Sequence, residues 1–196
     1  MDITFARVKP YLYILGTVVL LMIVLEQWSA NQYDLQALKW HLRHGSEVRC
    51  CGIELRVPLK YAQADSPGII LRNWPGSVRR TLFHSPPAVI SVDPHIAPKG
   101  EYTEVEKQQL GDRIVALQEH HCYKLLTSTQ LEMAGRTLSC YEFGCQPQVS
   151  RKNHEAYEPP LRVSCWGNDF AVSFDGDKTL RGEFYTMMKE AKAESD

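Results

Sequence analysis

The sequence has almost no net charge and carries no identifying catalytic motif. Its 22 Lys and Arg residues nearly balance 23 Asp and Glu residues, which leaves a net charge of −1. There is no basic field that would attract nucleic acid, so we exclude nucleic acid as a partner. A phosphate-binding loop, a nucleophile elbow and a dinucleotide-binding turn are all missing. We therefore expect no cofactor and name no catalytic residue, and a non-enzymatic role is favoured.

A second long apolar run is also missing, so a single run remains to be explained. Residues 11–25, YLYILGTVVLLMIVL, contain no charged residue. A helix extended from there to Trp28 would be about 27 Å long, enough for the apolar core of a thin bilayer. A cleaved signal peptide is the alternative, but Trp28-Ser29-Ala30 places a bulky ring where cleavage needs a small side chain. We predict an uncleaved, single-pass signal anchor at 11–28.

The residues that flank this run indicate its orientation. Arg7 and Lys9 precede it in the tail 1–10, whereas Lys39 is the first basic residue on the other side. Basic flanks stay in the cytoplasm, so we predict a cytoplasmic tail and an extracytoplasmic, periplasmic or equivalent, C-terminal domain. Aromatic and basic side chains anchor helix ends at the bilayer interface. The predicted membrane-interface residues are Arg7, Lys9, Tyr11, Tyr13, Trp28, Tyr33 and Trp40.

The segment 29–45 is predicted to be a juxtamembrane helix or linker. Leu35, Leu38 and Leu42 recur at helical spacing, and Gly45 follows as a C-terminal cap. Two alternatives stay open: the segment continues the membrane helix, or it forms a short amphipathic helix on the membrane surface.

Residues 46–193 are predicted to form one extracytoplasmic α+β domain, followed by a tail at 194–196. Period-two alternation and turn residues indicate short strands at 48–50, 53–57, 69–71, 78–83, 88–92, 131–134, 137–145, 161–166 and 170–174. One helix begins at Thr103, where Thr103 and Glu106 have capping-box spacing. It continues to 121, with one face made of Leu110, Ile114, Leu117 and His121. A final helix follows Asp177, with an apolar stripe at Leu180, Phe184, Met187, Met188 and Ala191. This order predicts an antiparallel sheet with two helices packed on it.

Six cysteines are compatible with disulfides in an oxidising compartment. Cys140 and Cys165 each lie in the middle of an alternating strand. If Phe143 pairs near Arg162, Cys140 lies opposite Cys165, and we predict a disulfide between them. The connectivity of the other four stays open: Cys50, Cys51, Cys122 and Cys145.

Three groups of residues have the chemistry of a metal or redox site. His41 and His44 share a helix face near Cys50 and Cys51, and 119–122 reads Glu-His-His-Cys. Asp175-Gly176-Asp177 resembles part of a calcium loop, but Thr186 stands where that loop needs Glu. None has the spacing of a known site. A metal- or redox-active domain is therefore the alternative to a binding domain, and a hydrolase with a dispersed site is a third hypothesis.

The pattern of elements resembles the Mog1/PsbP-like domains, which include the bacterial DcrB-like envelope group. The strand IELRVPLKY, the strand VISVD before a long helix, the strands LEMAGRTLSCYEF and LRVSCWGNDFAVSF, and the closing helix TLRGEFYTMMKEA carry the resemblance. Tyr61 stands where that family more often has Trp. The resemblance covers 48–193 and implies an α/β/α sandwich with an accessory or binding role at a membrane. We thus expect a membrane-anchored, non-enzymatic envelope protein whose partners are the lipid bilayer and an envelope protein of a membrane complex.

Overall fold

A computed structural model of the chain describes residues 3–64, 68–75, 86–94, 102–119, 123–149, 156–157 and 159–194, without the side chains of 3–12, 23, 25–33, 149 and 156–157. Its helices are α1 (Ile3–His44), α2 (Glu104–Glu119) and α3 (Arg181–Lys189), with a 3-10 turn at Lys178–Leu180. Its strands are β1 (Glu47–Cys50), β2 (Ile53–Arg56), β3 (Ala62–Gln63), β4 (Ile69–Asn73), β5 (Ala88–Pro94), β6 (Tyr123–Met133), β7 (Arg136–Cys145), β8 (Gln148–Val149), β9 (Ala156–Tyr157), β10 (Leu161–Trp166), β11 (Phe170–Gly176) and β12 (Lys192–Ala193).

The helix α1 is continuous over 42 residues. The predicted juxtamembrane segment is therefore a continuation of the preceding helix, and the alternative of a separate surface helix does not hold. Gly45, at a φ of 77°, ends α1 with a hydrogen bond from its N–H to the carbonyl of His41. Among the described residues, no helix is both long and apolar enough to cross a membrane.

Seven antiparallel strands form the main sheet, in the order β3-β4-β5-β11-β10-β7-β6. Successive side chains of a strand point to opposite faces of the sheet. Tyr141 and Glu142 are neighbours on β7, so they point to opposite faces, and each contacts a different helix. On one face Gly111 of α2 lies against the Tyr141 ring, so closely that a Cβ there would approach the hydroxyl within 2.3 Å. On the other face α3 contacts Glu142 through Arg181. The domain is thus α+β, with helices on both faces of the sheet.

The main core lies between the α3 face of the sheet and the small sheet β1-β2-β12. The predicted stripe of the last helix is buried there in full: Leu180, Phe184, Met187, Met188 and Ala191. The prediction for α2 is wrong in one respect, because Leu117 is 67% exposed and Gly111 is the buried residue of that helix. The α2 helix packs on the sheet through the close contact between Gly111 and the Tyr141 ring, so this packing does not require a broad apolar stripe.

Two tight hairpins join strands that were predicted as neighbours along the chain. Cys51 and Gly52 have φ values of 62° and 73° and join β1 to β2, and Ala134 and Gly135 join β6 to β7 in the same way. The β6 strand begins at Tyr123, well before the predicted 131–134. The predicted strand at 78–83 and residues 120–122 of the Glu-His-His-Cys cluster lie outside the described residues.

Candidate functional site

The end of α1 is fixed to the domain by one histidine. His41 is buried, and backbone carbonyl oxygens face both ring nitrogens. Its Nδ1 lies 3.0 Å from the Gly45 oxygen, and its Nε2 lies 3.0 Å from the Tyr61 oxygen and 3.2 Å from that of Pro58. Carbonyl oxygens only accept hydrogen bonds, so the ring donates on one side when neutral and on both when protonated. The end of α1 and the 58–61 turn therefore meet at this ring.

A cavity of about 410 Å³ opens beside this contact, between α1 and the β3–β4 edge of the sheet. We call it the junction pocket. It has two cationic side chains, two primary amides and an indole in its wall. The described residues that line it are Gln36, Lys60, Ala62, Gln63, Ala64, Arg72 and Trp74. Strands β3 and β4 pair so that Ala62 lies opposite Arg72. This pairing places the small side chain and the long cation side by side on the wall.

Below the pocket, Glu183 of α3 joins Lys60 and Tyr61 to the core. The Lys60 ammonium forms an ion pair with the Glu183 carboxylate, and the same carboxylate acts on the buried Tyr61 hydroxyl. Burial raises the pKa of Tyr61, and the negative charge of Glu183 raises it further. Tyr61 therefore stays neutral, and the charge of Lys60 is offset from within the protein.

Arg72 has no such partner. It is exposed and forms no ion pair or side-chain hydrogen bond with the described part of the chain. Next to it Trp74 presents an indole that is 46% exposed. The pocket therefore combines an unpaired guanidinium with an accessible aromatic face.

A second polar cluster surrounds one buried carboxylate. Glu142, only 3% exposed, accepts two hydrogen bonds from Arg181, at 2.8 and 2.7 Å, and one from the Tyr185 hydroxyl at 2.6 Å. Burial raises the pKa of Glu142, but the hydrogen bonds from Arg181 and Tyr185 and the charge of Arg181 outweigh it, so this pKa lies below its ordinary value. Burial and the bond to Glu142 raise the pKa of Tyr185. All groups of this cluster contact one another, so its role is to hold α3 on β7.

The structure contains the predicted Cys140–Cys165 disulfide, with an S–S distance of 2.05 Å. The register is also as predicted, with Phe143 opposite Arg162 and Cys140 opposite Cys165. Cys50 is bonded to its neighbour Cys51 at the tip of the β1–β2 hairpin, and Cys145 is also in a disulfide. None of the described cysteines is free.

The described residues with the chemistry of a metal site do not come together. His41 donates to carbonyl oxygens, His44 contacts the Trp40 ring and carbonyl, and Cys50 is oxidised. Asp175 forms an ion pair with Arg162, and Asp177 caps the 3-10 turn by accepting from the Thr179 N–H at 2.8 Å. Within the described ranges, no group of three metal-ligating side chains exists.

The predicted membrane-interface residues lie along α1. Tyr13 is exposed, and Trp40 packs against the domain core while its ring stacks on His44. The side chains of the other five lie outside the described part: Arg7, Lys9, Tyr11, Trp28 and Tyr33. Sequence reasoning missed the junction pocket, because the predicted strand ended at residue 71 and neither Arg72 nor Trp74 belonged to a recognised motif.

No family model matches the chain, and no curated protein matches it. Among solved structures, the solution structure of cyanobacterial PsbP (CyanoP) from Synechocystis sp. PCC 6803 is similar to it. That likeness covers 74% of this chain and 88% of the other, with 10% sequence identity and a TM-score of 0.47. CyanoP is a cyanobacterial PsbP by its printed name, and the pattern of elements along this sequence also resembles the Mog1/PsbP-like domains.

Proposed function

We propose that this chain is a non-enzymatic envelope protein, anchored in a membrane by α1, whose α+β domain binds a partner outside the cytoplasm and assists a membrane complex. The observation that carries the proposal is the exposure of apolar side chains on every side of α1. Five consecutive residues, Val18 to Met22, are each between 48% and 65% exposed. At 100° per residue they cover the whole circumference of the helix.

The size of this surface favours a bilayer over water. Nine large apolar side chains between Tyr13 and Val24 are exposed: Tyr13, Ile14, Leu15, Val18, Val19, Leu20, Leu21, Met22 and Val24. Their transfer out of water is worth on the order of 10–20 kcal/mol, which exceeds the net stability of an ordinary domain. A helix that is apolar all round needs lipid or protein on all sides. The sequence run at 11–25 with basic residues before it favours lipid.

The disulfides favour an oxidising compartment for the domain. Cys140–Cys165 and Cys50–Cys51 are both formed, and thiols in the cytoplasm stay reduced. This agrees with an orientation in which Arg7 and Lys9 remain in the cytoplasm. The junction pocket, at the point where the anchor helix meets the domain, favours a binding role.

Membrane fractionation of the full chain tests the anchor. The chain should stay in the membrane pellet after high-salt and alkaline washes, and a variant lacking 1–30 should be soluble. A reporter that is active only outside the cytoplasm, fused after Asp196, should be active. Reversing the flank with Arg7→Glu and Lys9→Glu is the matched variant and should lower that activity. A washed pellet without the chain would refute the anchor, and an inactive reporter would refute the orientation.

A redox role is a second candidate, favoured by the Cys50–Cys51 disulfide alone. It sits at a hairpin tip and both residues are partly exposed. A small dithiol would reduce it to two thiols and would itself become a disulfide. Mass spectrometry after mild dithiol treatment should then find Cys50 and Cys51 alkylated while Cys140–Cys165 stays bonded. Equal resistance of the two disulfides would rule this role out.

A further inference from the structure

We propose that the junction pocket binds a small organic phosphate, with the phosphate on Arg72 and a ring against Trp74. The inference deepens the proposed binding role and rests on it. It names the chemistry of the ligand from the charges, shape and position of the pocket.

The charges of the lining select an anion. Among the described residues that line it, the pocket has two cations and no carboxylate. Glu183 already offsets Lys60, so the uncompensated charge is that of Arg72, whose planar fork matches phosphate oxygens. Gln36 and Gln63 add amide donors. A larger cavity of about 540 Å³ lacks this preference, because acidic residues outnumber basic ones in its lining of Ser46, Glu47, Glu54, Arg56, Glu190 and Lys192.

The shape of the pocket selects an organic anion over a bare one. Its volume of about 410 Å³ far exceeds that of one phosphate and suits a metabolite-sized ligand. Ala62 and Ala64 leave a flat apolar wall, and the Trp74 indole offers a face for a sugar or base ring. A phosphate that carries such a ring would contact both the Arg72 guanidinium and the Trp74 indole.

The position of the pocket separates a soluble ligand from a lipid headgroup. Gln36 lies ten residues beyond Glu26, the first charge after the apolar run, so it is about 15 Å further along α1. The polar layer of a bilayer adds only about 5–7 Å on each side of the apolar core. Trp40, which was predicted to lie at the membrane interface, is further along α1 than Gln36 but packs against the domain core. We therefore place the headgroups before the pocket and assign the phosphate to a soluble molecule.

Calorimetric titration of the full chain in a neutral detergent tests this inference. The probes are glucose 6-phosphate, inorganic phosphate, glucose and a short-chain phosphatidylglycerol. Glucose 6-phosphate should bind most tightly, and Arg72→Gln should weaken it at least about tenfold, as expected for a lost charge-assisted contact. The control Arg49→Gln, on β1 and ion-paired with Glu54, should leave the affinity unchanged. Trp74→Ala should weaken glucose 6-phosphate more than inorganic phosphate. Unchanged thermal melting shows that each variant is folded.

Four results would overturn the inference. They are no binding of either phosphate, equal affinity of wild type and Arg72→Gln, glucose binding as tightly as its phosphate, and tighter binding of the lipid. The last would locate the source of the phosphate in the membrane. Each can occur whether or not the chain fractionates with membranes, so a failed titration and a failed anchor are told apart.

Discussion

Replacing Glu142 by Gln should destabilise the domain by about 2 kcal/mol at neutral pH. The substitution keeps the shape of the side chain and removes its charge, so the bonds to Arg181 and Tyr185 lose their charge assistance. A hydrogen bond to a charged group contributes roughly 1.5–3 kcal/mol, and breaking a buried ion pair costs about 3–5 kcal/mol. The Arg181 side chain is 48% exposed and regains water contacts, which favours the lower end.

The effect should depend on pH in a defined direction. The folded-state pKa of Glu142 lies below its ordinary value of 4.5, so folding is stabilised by the ionised carboxylate. This contribution is complete above about pH 5 and is lost as the pH falls through the folded-state pKa. The stability difference between wild type and Glu142→Gln should therefore be constant around neutral pH and shrink in acid. A protonated carboxyl and an amide then interact with Arg181 in similar ways.

Thermal unfolding of the full chain in detergent, at pH 7 and at pH 3, measures both effects. For a domain of this size about 2 kcal/mol corresponds to a fall in Tm of about 4–8 °C. Asp169→Asn is the matched control, because it removes an ion pair of similar length, with Arg136 at 2.8 Å, that is exposed on both sides. Exposed pairs contribute about 0–1 kcal/mol. If Glu142→Gln lowers Tm no more than Asp169→Asn, the buried cluster does not hold α3 as argued.

Three further substitutions test other contacts by chemical denaturation. Replacing Cys140 and Cys165 together by Ala should cost about 3.5 kcal/mol in the chain-entropy model for a separation of 25 residues, and free thiols at both positions in unreduced wild-type protein would contradict the disulfide. Gly111→Ala should destabilise by about 1–3 kcal/mol despite the better helix propensity of Ala, and Tyr141→Phe in that background should restore part of it; a stabilised Gly111→Ala would show that the ring moves aside. His41→Ala should cost about 1–3 kcal/mol and speed tryptic cleavage at the end of α1, whereas unchanged cleavage would mean that other contacts hold the junction.

The register between two strands that carry a strict alternation was predicted to the residue. In β7 and β10 the alternation decides which side chains share a face, so one assumed pair, Phe143 with Arg162, also places Cys140 opposite Cys165. The stripe of α3 was predicted for the same reason, since its five apolar residues have a single helical arrangement that buries them together. Local periodicity is sufficient where one face of an element is buried and the other is not.

Elements without that contrast were predicted poorly. Most side chains of β6 are exposed, so residues 123–130 carry no period-two signal although they pair with β7. The α2 helix buries a glycine, which no hydrophobic pattern reveals. In both cases the neighbours in space, β7 and the Tyr141 ring, decide the structure.

The sequence by itself determined the α+β class, the apolar run of α1, the closing helix and the Cys140–Cys165 bond, because each depends on side chains close along the chain or on one shared register. Only the tertiary structure decided the junction. His41 contacts a turn 17 to 20 residues away, and Gln36 and Arg72 reach one pocket from positions 36 residues apart. Such contacts follow from how helix and sheet pack in three dimensions, and no period along the chain records them.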